Sequence, residues 1–208
     1  MPSLIIFDCD GVLIDSLDFL SGVFINLFKK YRDEIITKND FVSFFDGNFF
    51  ESLRSRGITD KEINQFMAGL RVEMTAKYKD QNLMPGVKDM LDELSKSYSL
   101  VAITSNLTDL TKDYLASKGI TVFSEVIGGD VEKSKIKKIE SVKEKHPDSK
   151  IFYVGDTTGD VIEGRRAGAT TVAASWGFHD KTRLEKSSPD YLVDSPEELA
   201  SLFSKLPN

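Results

Sequence analysis

The chain has 208 residues, of which 40% are hydrophobic, and a formal net charge of -6. This length supports one substantial core, or one core and a smaller module. The net negative charge argues against non-specific binding of nucleic acid, because such binding depends on Lys and Arg. The single cysteine, Cys9, excludes an internal disulfide. There is no signal-peptide pattern and no membrane-length apolar stretch, so we expect a cytoplasmic protein with no membrane partner.

The first predicted elements are a strand and a helix. An apolar run over residues 4–7 predicts a buried strand, and hydrophobic residues spaced three and four apart predict a helix over residues 17–31. Residues 37–79 are rich in Phe and charged residues and contain no β-branched run, which predicts a small all-helical insertion. The pair Pro85-Gly86 then marks the return to a regular pattern.

From residue 87 onward, helix and strand patterns alternate along the chain. Helices are predicted over residues 87–94, 107–118, 134–145 and 161–167, and strands over residues 99–104, 126–127, 151–154 and 170–173. Alternation of this kind predicts an α/β fold with a parallel, doubly wound sheet and right-handed crossovers. We expect the α/β core to comprise residues 1–16 and 84–208, and the helical insertion to span residues 17–83.

Two carboxylates follow the first predicted strand, at Asp8 and Asp10. The carboxyl edge of an open α/β sheet is where ligands bind. Two acids this close repel each other unless a cation lies between them, and hard oxygen ligands suit Mg²⁺. The pattern therefore indicates a metal site, with a solvated Asp-Gly turn as the alternative.

Other predicted strands also end in polar clusters. These clusters are Thr104, Ser105 and Asn106 in one segment, Lys133 and Lys135 in the next, and Asp156 and Asp160 in the last. Parallel strands present their carboxyl ends at one edge, so we expect the clusters to converge. Carboxylates, a hydroxyl and an ammonium are the groups that phosphoryl transfer requires.

Four segments resemble the motifs of the haloacid dehalogenase superfamily, on its phosphoglycolate-phosphatase-like branch. Residues 8–16 (DCDGVLIDS) are similar to the first motif, DxDGxLxDS, and Thr104 matches the second. A lysine after Gly128-Gly129-Asp130 matches the third, and residues 155–160 (GDTTGD) resemble the fourth, GDxxxD. The resemblance covers nearly all of the chain and implies a Rossmann-like core with a helical cap inserted after the first strand.

The resemblance implies a role for each matching residue. Asp8 is expected to attack phosphorus and Asp10 to act as general acid and then general base. Mg²⁺ is expected to bind Asp8, Asp10 through its carbonyl, and Asp156, with Asp160 as a further ligand or an outer acceptor. Dehalogenases usually lack an acid at the position of Asp10, so this residue favours phosphoryl chemistry.

The remaining matching residues are expected to bind the phosphoryl group. Thr104 and the segment that follows it, Ser105 and Asn106, are expected to hold phosphoryl oxygens. Two lysines compete for the third motif, because the usual Lys-Pro-x-Pro is absent here. Ser134 is a good N-cap, which places Lys135 in the first helical turn near the site, so we prefer Lys135 to Lys133.

The cap is expected to contribute the contacts that determine substrate specificity. The loop over residues 46–50 could reach the substrate, and Arg54 or Arg56 could pair with a carboxylate or second phosphate; the alternative is an ordinary turn with two exposed arginines. The phenylalanines of this region are expected to form the cap core rather than a stacking platform. They are Phe41, Phe44, Phe45, Phe49 and Phe50.

Several other polar residues are expected to have no part in the chemistry. Lys137 and Lys138 are expected on a solvated helix face, and His146 and His179 at the surface. Cys9 is expected to be a small buried filler, because two anionic neighbours disfavour its thiolate.

The leading hypothesis is a Mg²⁺-dependent phosphatase that acts on a small phosphorylated metabolite, with phosphoglycolate as the first guess. The alternative within enzymes is a phosphosugar mutase, which would retain the phosphorylated intermediate. A phosphonate hydrolase is disfavoured, because that chemistry is expected to need a Schiff-base lysine in the cap and the cap lysines here occupy polar sequence surroundings. A non-catalytic binding protein is disfavoured because Asp8, Asp10, Thr104 and Asp156 are all present.

Overall fold

The structure is a computed structural model that describes residues 3–206. In chain order its strands are β1 (Ser3–Asp8), β2 (Ile14–Asp15), β3 (Asn82–Leu83), β4 (Ser99–Ile103), β5 (Phe123–Ile127), β6 (Lys150–Gly155), β7 (Thr170–Ala174) and β8 (Tyr191–Val193). Its α-helices are α1 (Leu17–Arg32), α2 (Lys38–Ser43), α3 (Phe49–Ser55), α4 (Asp60–Lys77), α5 (Val87–Leu94), α6 (Thr108–Ser117), α7 (Lys135–Lys145), α8 (Thr158–Arg166), α9 (Lys181–Glu185) and α10 (Pro196–Lys205). A short 3-10 helix, Tyr78–Asp80, follows α4.

Six parallel strands form one sheet in the order β5-β4-β1-β6-β7-β8. Alternate side chains of β1 enter different apolar clusters, with Ile5 and Phe7 on one face and Leu4 and Ile6 on the other. Helices α5 and α10 pack together beside the first cluster, and α7 and α8 pack together beside the second. Both faces of the sheet are therefore covered, and the predicted doubly wound α/β fold is confirmed.

The four helices α1 to α4 follow one another between two short strands, β2 and β3, which pair antiparallel. Thr37 and Thr59 form capping boxes at the starts of α2 and α4, and Asn48 accepts hydrogen bonds from backbone amides at the start of α3. The chain thus leaves and re-enters the α/β layer at one place. The division into a core and a separate 17–83 domain stays a prediction, because one apolar cluster continues from these helices into the sheet.

Aromatic rings hold the inserted helices together. The ring of Phe28 stacks on Phe66 at 4.8 Å and on Phe44 at 5.7 Å, which joins α1 to α4 and to the end of α2. The described elements within residues 37–79 are all helices, as predicted, whereas the end of the 17–83 segment forms β3.

The largest departures from the expected elements lie at the end of the chain. No element was predicted for β8, α9 or α10, because β8 has only three residues and α9 only five. The start of α10 does carry a helix-start signal in the sequence, since Ser195 caps it and Pro196 occupies its first turn.

Across residues 3–206 the structure has no helix long and apolar enough to cross a membrane.

Candidate active site

The predicted convergence of polar clusters occurs at the carboxyl edge of the sheet. Asp8 ends β1, while Asp156 and Asp160 follow β6. One carboxylate oxygen from each of these three buried residues lies within 4.8 Å of the others. Three acids brought this close from two strands need positive charge between them.

Lys135 supplies one such charge. Its ammonium lies 2.8 Å from Oδ2 of Asp8 and 2.6 Å from Oδ1 of Asp160. Ser134 caps the helix by accepting from the amide of Lys137, so that Lys135 is the first residue of α7, as expected. Lys133 lines the same cavity but is in none of the ion pairs found among residues 3–206. The geometry therefore favours Lys135.

Asp160 has both carboxylate oxygens occupied. Its Oδ2 accepts from the amide and the hydroxyl of Thr157, which closes a capping box at the start of α8. Its Oδ1 accepts from Lys135 and from the hydroxyl of Tyr153 at 2.6 Å. Although burial opposes it, the Lys135 ammonium and these donors lower the pKa of Asp160. This arrangement suits a fixed anion that orients Lys135 better than a direct metal ligand.

Asp156 differs from Asp160 because half of its carboxylate has no partner. Its Oδ2 accepts from the amide of Phe178 at 2.7 Å, whereas its Oδ1 is buried without a hydrogen bond. Burial raises the pKa of Asp156, and the neighbouring Asp160 and Asp8 raise it further. A buried, unpaired carboxylate oxygen is costly unless a cation meets it. The donor set therefore fits a hard divalent cation such as Mg²⁺.

Glycines allow the chain to pass close to Asp156. Gly11 has a φ of +83°, and a Cβ added to it would lie 2.0 Å from Oδ2 of Asp156. A Cβ on Gly177 would lie 2.3 Å from the same oxygen. The glycine of the first motif is therefore needed both for its backbone conformation and for the space beside the carboxylate.

Asp8 and Asp10 both line a cavity between the sheet edge and the inserted helices. Burial raises the pKa of Asp8, although the ion pair with Lys135 opposes this effect. Burial also raises the pKa of Asp10. The hydroxyl of Tyr78 donates to Oδ1 of Asp10 at 3.3 Å. A carboxyl with a raised pKa is suited to holding a proton that it can donate.

The segment after β4 contributes two residues to this cavity. Ser105 and Asn106 line it, and the side-chain Nδ2 of Asn106 is a buried donor without a partner within residues 3–206. Thr104 is fully buried beneath them, where its hydroxyl accepts from the amide of Asn106 at 3.0 Å. Thr104 thus orients the loop in this structure, and phosphoryl binding by all three stays a prediction.

The inserted helices close the other side of a cavity of about 250 Å³. Phe41, Phe45, Phe49 and Phe50 line it, so these rings belong to the core of the insertion, as expected, and also face the cavity. Arg54 pairs instead with Asp60, and Arg56 lies over the ring of Phe44.

Arg71 of α4 lines the cavity, and no motif in the sequence predicts this position. Its position on α4 relative to the sheet edge depends on how the insertion folds back over the core.

Two expectations of surface exposure are wrong. His179 is fully buried: its Nδ1 accepts from the amide of Thr158 at 3.0 Å, which leaves Nε2 protonated to donate to the carbonyl of Val42 at 3.0 Å. It therefore joins the start of α8 to the insertion as a neutral imidazole, and burial lowers its pKa. Lys138 is also fully buried, and its ammonium donates to the carbonyl of Thr104. Cys9 is buried as expected, and burial raises its pKa.

Comparisons with known proteins agree with this architecture. The family model described as haloacid dehalogenase-like hydrolase matches residues 5–174. A phosphoglycolate phosphatase from Synechococcus elongatus is 28% identical over 97% of both chains, and pyrophosphatase PpaX from Bacillus velezensis is 24% identical over 94% of this chain and 93% of its own. The structure of a haloacid dehalogenase-like hydrolase from Streptococcus pneumoniae superposes with a TM-score of 0.82 at 26% identity and covers 97% of this chain and 98% of its own.

The family model spans four fifths of the chain, and the full-length relatives include phosphatases. The resemblance inferred from the four motifs is thus confirmed, as is the expectation of an enzyme of the phosphatase class. The chain belongs to the haloacid dehalogenase-like hydrolase family, on the branch that resembles the phosphoglycolate phosphatases.

Proposed function

We propose that this protein is a Mg²⁺-dependent phosphatase that hydrolyses a small phosphate monoester through an aspartyl-phosphate at Asp8. The observation that carries the proposal is the contact between Asp8 and Lys135, at 2.8 Å, in the wall of a cavity that also contains Asp10. A carboxylate beside a fixed ammonium can approach a phosphate dianion that it would otherwise repel. The relatives named as phosphatases support the same chemistry.

The reaction has two steps at Asp8. A carboxylate oxygen of Asp8 attacks phosphorus, the bond from phosphorus to the ester oxygen breaks, and Asp10 gives its proton to the leaving oxygen. The Asp10 carboxylate then takes a proton from water, and the resulting hydroxide attacks phosphorus. The bond between phosphorus and the Asp8 oxygen breaks, inorganic phosphate leaves, and both carboxyl groups return to their starting states. The raised pKa of Asp10, which burial produces, suits the first of these roles.

The cation would be held by Asp8, Asp156 and the carbonyl oxygen of Asp10, with Asp160 as an outer acceptor. When bound, Mg²⁺ would neutralise charge between the attacking carboxylate and the phosphoryl oxygens. Ser105 and Asn106 would donate hydrogen bonds to the phosphoryl oxygens, and the unpartnered Nδ2 of Asn106 supports this assignment. Lys135 would bridge the nucleophile and the phosphoryl group.

The helices α1 to α4 are proposed to act as a cap over this site, with residues 17–83 as one unit. The cavity lies between them and the sheet edge, which supports a role in enclosing the substrate. Phosphoglycolate is the first substrate to assay, because several relatives are named phosphoglycolate phosphatase. A cytoplasmic location also stays a prediction.

The test is release of inorganic phosphate from a panel of phosphate esters and diphosphate, with Mg²⁺ and with a chelator. We expect release that the chelator abolishes and that Asp8→Asn reduces at least thousandfold in a folded protein. Asp109→Asn is the matched control, because Asp109 is an exposed carboxylate in the first turn of α6. Full activity of Asp8→Asn, verified by mass to contain Asn, would overturn the covalent step. Rearrangement of a phosphosugar without phosphate release would indicate a mutase instead.

A further inference from the structure

The inserted helices give the cavity an apolar wall that the proposed phosphatase chemistry does not explain. Four residues of α4 line it at spacings of four, three and four, which places them on one face of the helix. They are Ile63, Met67, Leu70 and Met74. Facing them, Leu20 and Phe24 of α1 line the same cavity.

Aromatic rings complete this wall. Phe45 and Phe49 stack at 5.0 Å, and the edge of Phe24 meets Phe49 at 5.5 Å. Phe178, from the loop after β7, meets Phe45 edge to face at 5.5 Å and brings the apolar surface to the sheet edge. Phe178 is also the residue whose amide holds Asp156. The apolar surface is therefore continuous with the catalytic carboxylates.

The polar lining of the cavity comes from two places. At the sheet edge it consists of the proposed catalytic and phosphoryl-binding groups. On α4 it consists of Asn64 and Arg71, and both are exposed residues beside the apolar stripe. A carboxylate or a sugar hydroxyl placed against Met67 and Leu70, out of reach of Asn64 and Arg71, would lose its hydration without gaining a partner. An apolar group placed there would gain from burial.

Building on the proposed phosphatase activity, we propose that the preferred substrate is a phosphate monoester of an apolar alcohol, with an alkyl or aromatic body. Its phosphoryl group lies over Asp8, and its body occupies the space between α1 and the stripe on α4. The substrate is then selected by apolar contact, with phosphoglycolate and other small polar esters bound less well.

The first test is a homologous series assayed by phosphate release with Mg²⁺. The esters are methyl, ethyl, butyl, hexyl and benzyl phosphate, with phosphoglycolate and glycerol phosphate as polar references. We expect kcat/KM to rise about fourfold for each added methylene until the wall is covered. We also expect benzyl phosphate to exceed phosphoglycolate by at least tenfold.

The outcomes separate this inference from the proposed function. A phosphoglycolate rate equal to or above that of benzyl phosphate, or no rise along the alkyl series, would overturn the apolar substrate and leave the phosphatase standing. No release from any ester of the series or from either reference would overturn the proposed function itself.

The second test substitutes one residue of the stripe. Met67→Gln keeps the length of a half-buried side chain but adds an amide to the wall. We expect its kcat/KM to fall at least tenfold for benzyl phosphate and by a smaller factor for methyl phosphate, and Met67→Leu to retain the wild-type preference. Val72→Gln is the control, because Val72 lies on the same helix but is 69% exposed. An equal fall for both esters in a folded Met67→Gln protein would contradict the inference.

Discussion

The amide of Gly159 donates a hydrogen bond of 3.0 Å to the carbonyl oxygen of Phe45. Gly159 lies in the first turn of α8, and Phe45 lies in the loop between α2 and α3. The backbones are so close that a Cβ on Gly159 would lie 2.4 Å from the carbonyl oxygen of Gly47. The inserted helices therefore meet the core through backbone contact beside the buried carboxylate of Asp160, and only glycine fits there.

Gly159→Ala is predicted to displace the loop of the insertion, because backbone atoms cannot yield to the added methyl group as a flexible side chain can. We expect kcat/KM to fall at least tenfold, mainly through a higher KM, in steady-state assays. Gly22→Ala is the matched control, since a Cβ there has no atom within 4 Å in the middle of α1. It should leave the kinetics unchanged and raise the free energy of unfolding by about 0.5–1 kcal/mol. Unchanged kinetics for Gly159→Ala would show that the contact is dispensable.

The two lysines of the third motif are predicted to differ in their effect on the chemical step. Lys135→Met removes the ammonium that contacts both Asp8 and Asp160, and we expect kcat to fall by about 10²–10³, as for other preorganised donors. Lys133→Met should lower kcat less than tenfold, because Lys133 lines the cavity without contacting the nucleophile. Single-turnover measurements at saturating substrate decide between them, and a larger loss for Lys133→Met would reverse the assignment.

Asp156 is predicted to bind the cation directly. Asp156→Asn keeps an oxygen for the amide of Phe178 but removes the charge, so we expect Mg²⁺ affinity to fall at least tenfold in calorimetric titration. Asp109→Asn should titrate like the wild type. Equal affinity in Asp156→Asn and wild type would remove Asp156 from the ligand set.

The convergence of the buried carboxylates could be predicted from the sequence because it follows from topology. Each cluster directly follows an apolar run, and parallel strands bring their carboxyl ends to one edge, so Asp8, Asp156 and Asp160 had to meet. The preference for Lys135 over Lys133 also follows from neighbouring residues, since Ser134 is the N-cap that places Lys135 in the first helical turn. These inferences require only the residues nearby in the chain.

The residues that were missed have distant partners. His179 accepts from Thr158, 21 positions away, and faces Val42, 137 positions away. Arg71 was not recognised because its place depends on how the insertion lies over the sheet. The spacing of its apolar neighbours predicts a solvated face for Lys138, whereas its ammonium in fact donates to the carbonyl of Thr104. Helical periodicity identifies the apolar face of a helix, but it does not show what covers the remaining faces.

Lys138 is predicted to make stability depend on pH in the alkaline range. Burial lowers the pKa of this lysine to about 8, with the nearby Lys135 adding to the effect. In the unfolded chain its pKa is about 10.4, so between pH 8 and 10.4 the unfolded state binds more protons and stability rises with pH. We expect the wild type to gain up to about 2 kcal/mol relative to Lys138→Met between pH 7.5 and 9.5 in urea unfolding. Parallel pH profiles for the two proteins would show that Lys138 keeps an ordinary pKa, and Lys137→Met, at an exposed neighbour, should follow the wild type.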